Sequence, residues 1–272
     1  MRLGMLLRNS GPVATAEFIA GCAGAAETAG LDDLWVLDHI AIPPDDAEGS
    51  GGRYIDALAT LAFAAGITQR IGLGTSVLVV PYRPPLATAK WVASIQELCN
   101  GRLSLGVGAG WMAAEFNAVG VAREQRGRIT DDALAFLNTC FEQDIVEANG
   151  QPFIFSPRPV RPPILIGGSG KHVQTRAVRY GDGWMPTESD PDKLRVPIAH
   201  LKAAMAAQGK GQPAIIPLTR IDLTDRSRAA DQLAALAAVG VTGIEHTERY
   251  DTVAAFQAIA DGLLEARAHA GL

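Results

Sequence analysis

Four short stretches hold the residues best suited to chemistry. Asp38-His39 sets a carboxylate beside the one side chain that ordinarily exchanges protons near neutral pH. The pair is a candidate proton donor or acceptor, and equally a hydrogen-bonded pair that closes a strand end. "IGLGTSVLVVP", Ile71 to Pro81, reads as a buried strand, yet it carries Gly72, Gly74, Thr75 and Ser76. Glycine packs nothing and costs backbone entropy, and a buried hydroxyl needs a partner. "GVGAGW", Gly106 to Trp111, includes Gly108 and Gly110 and ends on an indole. That indole suits either stacking on a planar ligand or filling a cavity as a lid. "GGSG", Gly167 to Gly170 and so including Gly168 and Ser169, stands directly before a helical pattern. Small residues there let backbone N–H groups approach an anion, and the helix dipole favours a phosphate. A tight turn that needs positive φ would use the same residues.

Other polar residues suggest packing or solvent. Glu115 is expected to accept bonds from a nearby loop, and Trp35 and Trp91 to pack. Arg126 and Arg128 are expected on a solvated helix face or at an interface. The five histidines are scattered without an HxH or HExxH pattern, so no metal ligands are assigned. Cys22, Cys99 and Cys140 are widely spaced, which argues for a reducing, cytoplasmic setting. The net charge of −5 provides no basic field for nucleic acid. No apolar run is long enough to span a membrane, and the start of the chain lacks a secretory pattern.

These stretches need elements to bring them together. Strand-like and helix-like patterns alternate along all 272 residues. The strands are "RLGMLL", "LWVLDH", the Ile71–Pro81 stretch, "RLSLGVG", "PPILIGG", "DGWMPT", "AIIPLTRIDL" and "GIEHT". Helical patterns lie between them: Val13 to Ala29, Tyr54 to Ala65, from Pro85 to Asn100, Arg123 to Val146, Lys171 to Tyr180, Lys193 to Ala207 and near Ala229 to Ala238. In the last helix Val253, Phe256, Ala260, Leu263 and Leu264 form one apolar stripe. Eight βα units predict an α/β fold, a (β/α)8 (TIM) barrel, with an insertion between strands four and five. One domain over residues 1–272 is expected. An open doubly wound sheet is disfavoured, because no GxGxxG follows the first strand. In such a barrel the C-terminal strand ends share one mouth, where all four stretches would meet.

Taken together, "WVLDHIAIP", "IGLGTSVLVVPYRPPLATAKWVASIQELCNGRLSLGVGAGWMAAEF" and "PPILIGGSGKHVQTRAVRYGDGWMP" resemble the bacterial luciferase-like oxidoreductases. The resemblance spans roughly Met1 to Pro186. It implies a (β/α)8 barrel that binds FMN or the deazaflavin coenzyme F420, and "GAGW…EF" looks more like the coenzyme F420 branch. It further implies a cis peptide at Ser76-Val77 in a bulge under the ring, with Thr75 and Ser76 as polar contacts and the strand-three glycines permitting close approach. Asp38 and His39 match the pair near the reactive face, and Gly167, Gly168 and Ser169 match the phosphate loop. Sugar-phosphate dehydrogenases of that branch carry a glutamate after the GxG of strand four, where this chain has Trp111, which argues against that activity. The expectation is a hydride-transferring oxidoreductase that uses coenzyme F420 on a small-molecule substrate, with Asp38 and His39 catalytic. The cofactor contacts would be Asp38, Thr75, Ser76, Val77, Gly108, Gly110, Trp111, Gly167, Gly168 and Ser169. An FMN-dependent monooxygenase and a non-catalytic flavin-binding protein are the alternatives. The loop from Asp45 to Arg53 is expected to help select the substrate. Apolar residues on helices two and three, Trp91 among them, together with the resemblance imply a homodimer.

Overall fold

Turn and cap residues set the element boundaries in the computed structural model, which describes residues 1–272. β1 (Arg2–Leu6) leads to Thr15, whose side chain accepts from the Phe18 amide and caps α1 (Ala16–Ala29). Gly30, at φ +91°, closes that helix in the left-handed conformation. β2 (Asp33–Val36) follows, and Asp56 caps α2 (Ala57–Ile67) by accepting from the Ala59 amide. β3 (Gly72–Thr75) stops at a cis Ser76–Val77 peptide, as the resemblance implies, and the chain rejoins the sheet as β4 (Leu78–Val79). α3 (Pro85–Leu98) begins on a proline, which suits a first helical position. β5 (Leu103–Gly108) is the fourth barrel strand.

The insertion between strands four and five holds α4 (Ala113–Ala118), α5 (Arg126–Glu142) and a hairpin of β6 (Ile145–Ala148) and β7 (Gln151–Ile154). The sequence pattern predicts a helix that runs to Val146 and does not announce α4. The helix stops at Glu142, because Val146 is drawn into the hairpin, where it is buried opposite Phe153. The barrel then resumes with β8 (Ile164–Gly167), α6 (Lys171–Tyr180), β9 (Gly183–Met185) and α7 (Pro191–Ala207). β10 (Ala214–Ile215), β11 (Leu218–Thr219), α8 (Arg226–Ala238), β12 (Gly243–His246) and α9 (Val253–His269) complete it.

The spatial order is β10-β9-β8-β5-β3-β2-β1-β12-β11, with every pair parallel, and β4 pairs with β5. β10 and β11 are halves of the seventh strand, interrupted at Ile216–Pro217, where proline has no N–H to give a ladder. The first half bonds to β9 and the second to β12, so this strand closes the ring. Outward strand side chains pack on the helices. In α9, Phe256, Ala260 and Leu263 are fully buried, as their spacing requires. No helix is long and apolar enough to cross a membrane.

The inward face explains the thin third strand. Parallel register aligns Trp35 with Gly74 and with Leu6, and Gly4 with Asp33 and Glu245. Trp35 is 1% exposed and fills the barrel's middle. A Cβ on Gly74 would fall inside the six-membered ring's contact envelope, and one on Gly4 would strike the indole at Nε1 and Cδ1. Gly74 therefore makes room for Trp35 and Gly72 for the Asp33 carboxylate, which corrects the expectation that they admit a ligand. Beneath Trp35 the Arg2 guanidinium pairs with Asp33 at 2.7 and 2.8 Å. Above it lie Leu165, Met185 and Ile216, with Val77 packed on top.

Gly74→Ala is therefore expected to overpack the barrel and destabilise it by about 1–3 kcal/mol, lowering the thermal midpoint by several degrees. Gly24→Ala is the control: it lies in α1, and a Cβ there meets nothing within 4 Å. It should leave the midpoint unchanged or raise it slightly. Equal midpoints for Gly74→Ala and the native chain would refute the interior packing described.

Candidate active site

A cavity of about 710 Å³ opens at the C-terminal ends of the strands. Its floor is Val77, the first residue beyond the break in strand three. A Cβ on Gly108 or on Gly167 would come 2.6 Å from a Val77 methyl group. Those glycines are the seat of Val77, which stands between the fourth and fifth strands at the mouth.

Asp38 holds this region in place. Its carboxylate is buried and accepts from the Val79 amide at 2.8 Å and from both terminal nitrogens of Arg83 at 2.6 and 2.7 Å. Arg83 also reaches Asp56 at 2.7 Å, which ties the start of α2 into the same network. The end of β2 is thus joined to the chain just after Val77. Asp38 thus accepts three hydrogen bonds and joins the elements on which its neighbours stand.

His39 points into the mouth. Its Nδ1 lies 3.0 Å from Glu115 Oε2. Glu115, on α4, is 1% exposed and accepts from the Ile40 amide at 2.7 Å, the Ala41 amide at 3.1 Å and the Tyr82 hydroxyl at 3.1 Å. Burial pushes the Glu115 carboxyl up, but the Ala41 and Ile40 amides and the His39 ring outweigh it and hold it below its ordinary range. Burial and the Glu115 charge raise the Tyr82 hydroxyl, which stays protonated as a donor. A carboxylate can only accept, so Nδ1 carries the imidazole hydrogen and Nε2 is left for other partners. Trp111 is 66% exposed and meets the His39 ring edge-on at 6.4 Å, while Tyr54 flanks it at 4.9 Å.

The "GGSG" turn borders the cavity at the start of α6. Gly168, at φ +110°, donates its N–H to the Met185 carbonyl and accepts from the Trp184 indole at 2.7 Å. The Ser169 hydroxyl bonds Thr187 Oγ1 at 2.7 Å. Gly170 precedes α6 with no side-chain cap, and of the first three helix amides only that of Val173 has an internal acceptor, the Gly170 carbonyl at 3.2 Å.

Asp38, His39, Ser76, Val77, Gly108, Gly110, Trp111, Gly167, Gly168 and Ser169 all border this one cavity. Thr75 does not. It is fully buried, and its hydroxyl donates to the Gly106 carbonyl at 2.6 Å, so it is corrected from a cofactor contact to a bond between strands. Glu115, Tyr82 and Arg126 are among the wall residues that sequence reasoning left out of the site. Glu115 does accept from a nearby loop, as expected, but it also holds His39. Its place four residues after Trp111 was the available signal, hidden because α4 was not foreseen. Arg126, expected on a solvated helix face or at an interface, opens α5 at the cavity rim, while Arg128 is exposed as expected.

The sequence pattern of the family described as luciferase-like monooxygenase matches residues 1–271. An uncharacterized protein of Mycobacterium tuberculosis is 30% identical over 246 residues, which cover 83% of this chain and 85% of that protein. An F420-dependent hydroxymycolic acid dehydrogenase of the same organism is 31% identical over 195 residues, 68% of this chain and 53% of the relative. An FMNH(2)-dependent dimethylsulfone monooxygenase of Pseudomonas fluorescens is 26% identical over 200 residues, 64% and 54% of the two chains. Among solved structures, the monooxygenase RslO1 of Streptomyces bottropensis superposes with a TM-score of 0.78 at 19% identity, covering 97% of this chain and 99% of that one, and so shares the fold.

The depressed Glu115 carboxyl sets a pH dependence. Its stabilising contribution is present above the ordinary value of 4.5 and is lost as pH falls through the lower folded value. Glu115→Gln should therefore cost about 1–3 kcal/mol at pH 7, and the gap should shrink as the medium is acidified below pH ~4. Chemical denaturation of both proteins across this range checks it, and a gap that widens in acid would refute the assigned bonds.

Proposed function

This chain belongs to the luciferase-like monooxygenase family, and from that membership we propose that it is an oxidoreductase using coenzyme F420 to move hydride to or from a small organic substrate. The observation that carries this reading is His39, held through Nδ1 by a buried carboxylate at the rim of a cavity floored by Val77. The F420-dependent relative at 31% identity supports the deazaflavin. When bound, that coenzyme supplies a ring carbon that gives or accepts hydride.

The chain's own residues would do the remaining work. Val77 is branched at Cβ and stiff at χ1, so it gives one ring face a firm support. Gly167, Gly168, Ser169 and the uncapped first turn of α6 suit a phosphate, since their amides and the helix dipole favour negative charge. His39 Nε2 takes the proton that an alcohol loses as its hydride departs, or returns it in the reverse direction. Asp38 fixes the backbone from which His39 projects. Trp111 and Tyr54 flank the imidazole and limit water around it. Arg126 at the rim favours a substrate or cofactor group of negative charge. Phe63, Ile67, Trp91 and Leu98, exposed on α2 and α3, suit pairing with a second copy of the chain.

A second reading has its own support. The FMNH(2)-dependent relative shows that a flavin serves within this family, and the same floor and phosphate turn would serve FMN. The protein would then be a monooxygenase.

Two measurements bear on these readings. Titration followed by coenzyme fluorescence should show tighter binding of coenzyme F420 than of FMN, whereas micromolar FMN binding with no response to coenzyme F420 would favour the monooxygenase. With a turnover assay in hand, His39→Ala should lower kcat about 100-fold or more with a smaller change in coenzyme affinity. A loss confined to affinity would reduce His39 to a positioning residue.

A further inference from the structure

Trp111 is the most exposed of the four tryptophans, and it borders the cavity. An indole left in water forgoes the burial of a large apolar surface, which a ligand with a flat apolar group can restore. The chain holds this indole out on a built support. Gly110, just before it, takes φ +78°, and a Cβ there would come 2.6 Å from a Val79 methyl group and 3.1 Å from the Phe116 ring. Met112 and Phe116, on the other side, are buried. Glu115 is fixed by the amides of Ile40 and Ala41, the Tyr82 hydroxyl and His39. The turn that carries Trp111 is thus packed beneath and bonded at its flank, while the indole itself stays uncovered.

Other apolar groups share this rim. Val173, in the first turn of α6, and Leu218, which opens β11, line the same cavity, and Leu218 is exposed although it belongs to a strand. Ile40, exposed as well, follows His39 on the loop tied to α4 through Glu115.

Charge is placed away from this wall. The Asp38 carboxylate pairs with Arg83, and that of Glu115 is taken by its own donors. Arg126 stands on the α6 side of the mouth, because the carbonyl of the next residue, Gly127, accepts from Arg176 of α6. That is the side of the "GGSG" turn. The loop beyond Ile40 exposes Asp45, Asp46 and Glu48, whose charges disfavour an approaching anion.

We propose that Trp111 forms the substrate wall of this site, and that the substrate is an alcohol or carbonyl compound with no negative charge and with an aromatic or comparably flat apolar group on its reacting carbon. The His39 and Trp111 rings lie 6.4 Å apart between centres. A substrate oxygen bonded to His39 Nε2 therefore brings the substituents of its carbon to the indole. Trp111 is assigned here to the substrate instead of the coenzyme, and the inference rests on the reading of the cavity as an oxidoreductase site.

Three ketones test it: acetone, acetophenone, which exchanges one methyl for a phenyl ring, and pyruvate, which exchanges it for a carboxylate. Their binding is followed by ligand-observed NMR on the protein alone and in the presence of coenzyme F420 or FMN. The native protein should bind acetophenone about tenfold or more tightly than acetone, and pyruvate no more tightly than acetone. Trp111→Ala should lose that preference and Trp111→Phe keep most of it, with coenzyme affinity changing less than about twofold in either. The side chain is 66% exposed, so both variants should fold, and their circular dichroism checks this. Equal affinity for acetone and acetophenone, no binding of either, tighter binding of pyruvate, or an unchanged preference in Trp111→Ala would overturn the proposal. So would a loss in Trp111→Ala confined to the coenzyme. The expected ranking of ketones with neither coenzyme bound by any form would overturn the coenzyme reading and support the wall.

Discussion

The mouth of this barrel hangs on the buried carboxylate of Asp38. One side chain accepts from the amide just past the break in strand three and from the guanidinium that anchors α2. Two neighbours take their positions from it. His39, the next residue, is directed over the cavity, and Val77, two residues before Val79, is held as its floor. The Asp38 carboxylate is shielded from water, and the Val79 amide together with the fork of Arg83 gives it three donors. A buried charge is tolerable under that condition and costly without it.

Below the floor, the barrel is filled by contrast of size. Most (β/α)8 interiors are packed by layers of branched side chains. Here one tryptophan takes much of the volume, and glycines on either side yield the space. Such packing is stiff, because an indole wedged between two backbones has nowhere to turn. The Val77 platform rests on this plug, so the rigidity of the site floor derives from the interior beneath it.

Two glutamates show how environment decides chemistry. Glu115 is buried but receives two backbone amides, a phenol and an imidazole, so it stays ionised and fixes the tautomer of His39. Glu245 is buried just as deeply with none of these, so burial pushes its carboxyl up to about 8. The first is an acceptor at the rim, and the second is buried inside the barrel beside Gly4. Their residue type is the same, and only the donors supplied by the surrounding backbone differ.

Much of this was legible in the sequence. The alternation of strands and helices set the barrel, since each βα unit carries its own turn residues and apolar period, and those signals are local. "GGSG" before a helix and Asp38-His39 after a strand could be placed at one mouth because parallel strands end together. The division of labour within those motifs was not legible. Gly74 and Thr75 are adjacent to the site in sequence, but Trp35 on the next strand claims the first and the Gly106 carbonyl claims the second. Glu115 and Arg126 entered the site through an insertion whose short helix has no strong period to announce it. Glu245 stands on the eighth strand, and only closure of the ring sets it beside Gly4 on the first. Local patterning determines which elements form. Which side chain meets which depends on strand register and barrel closure, and those belong to the tertiary structure alone.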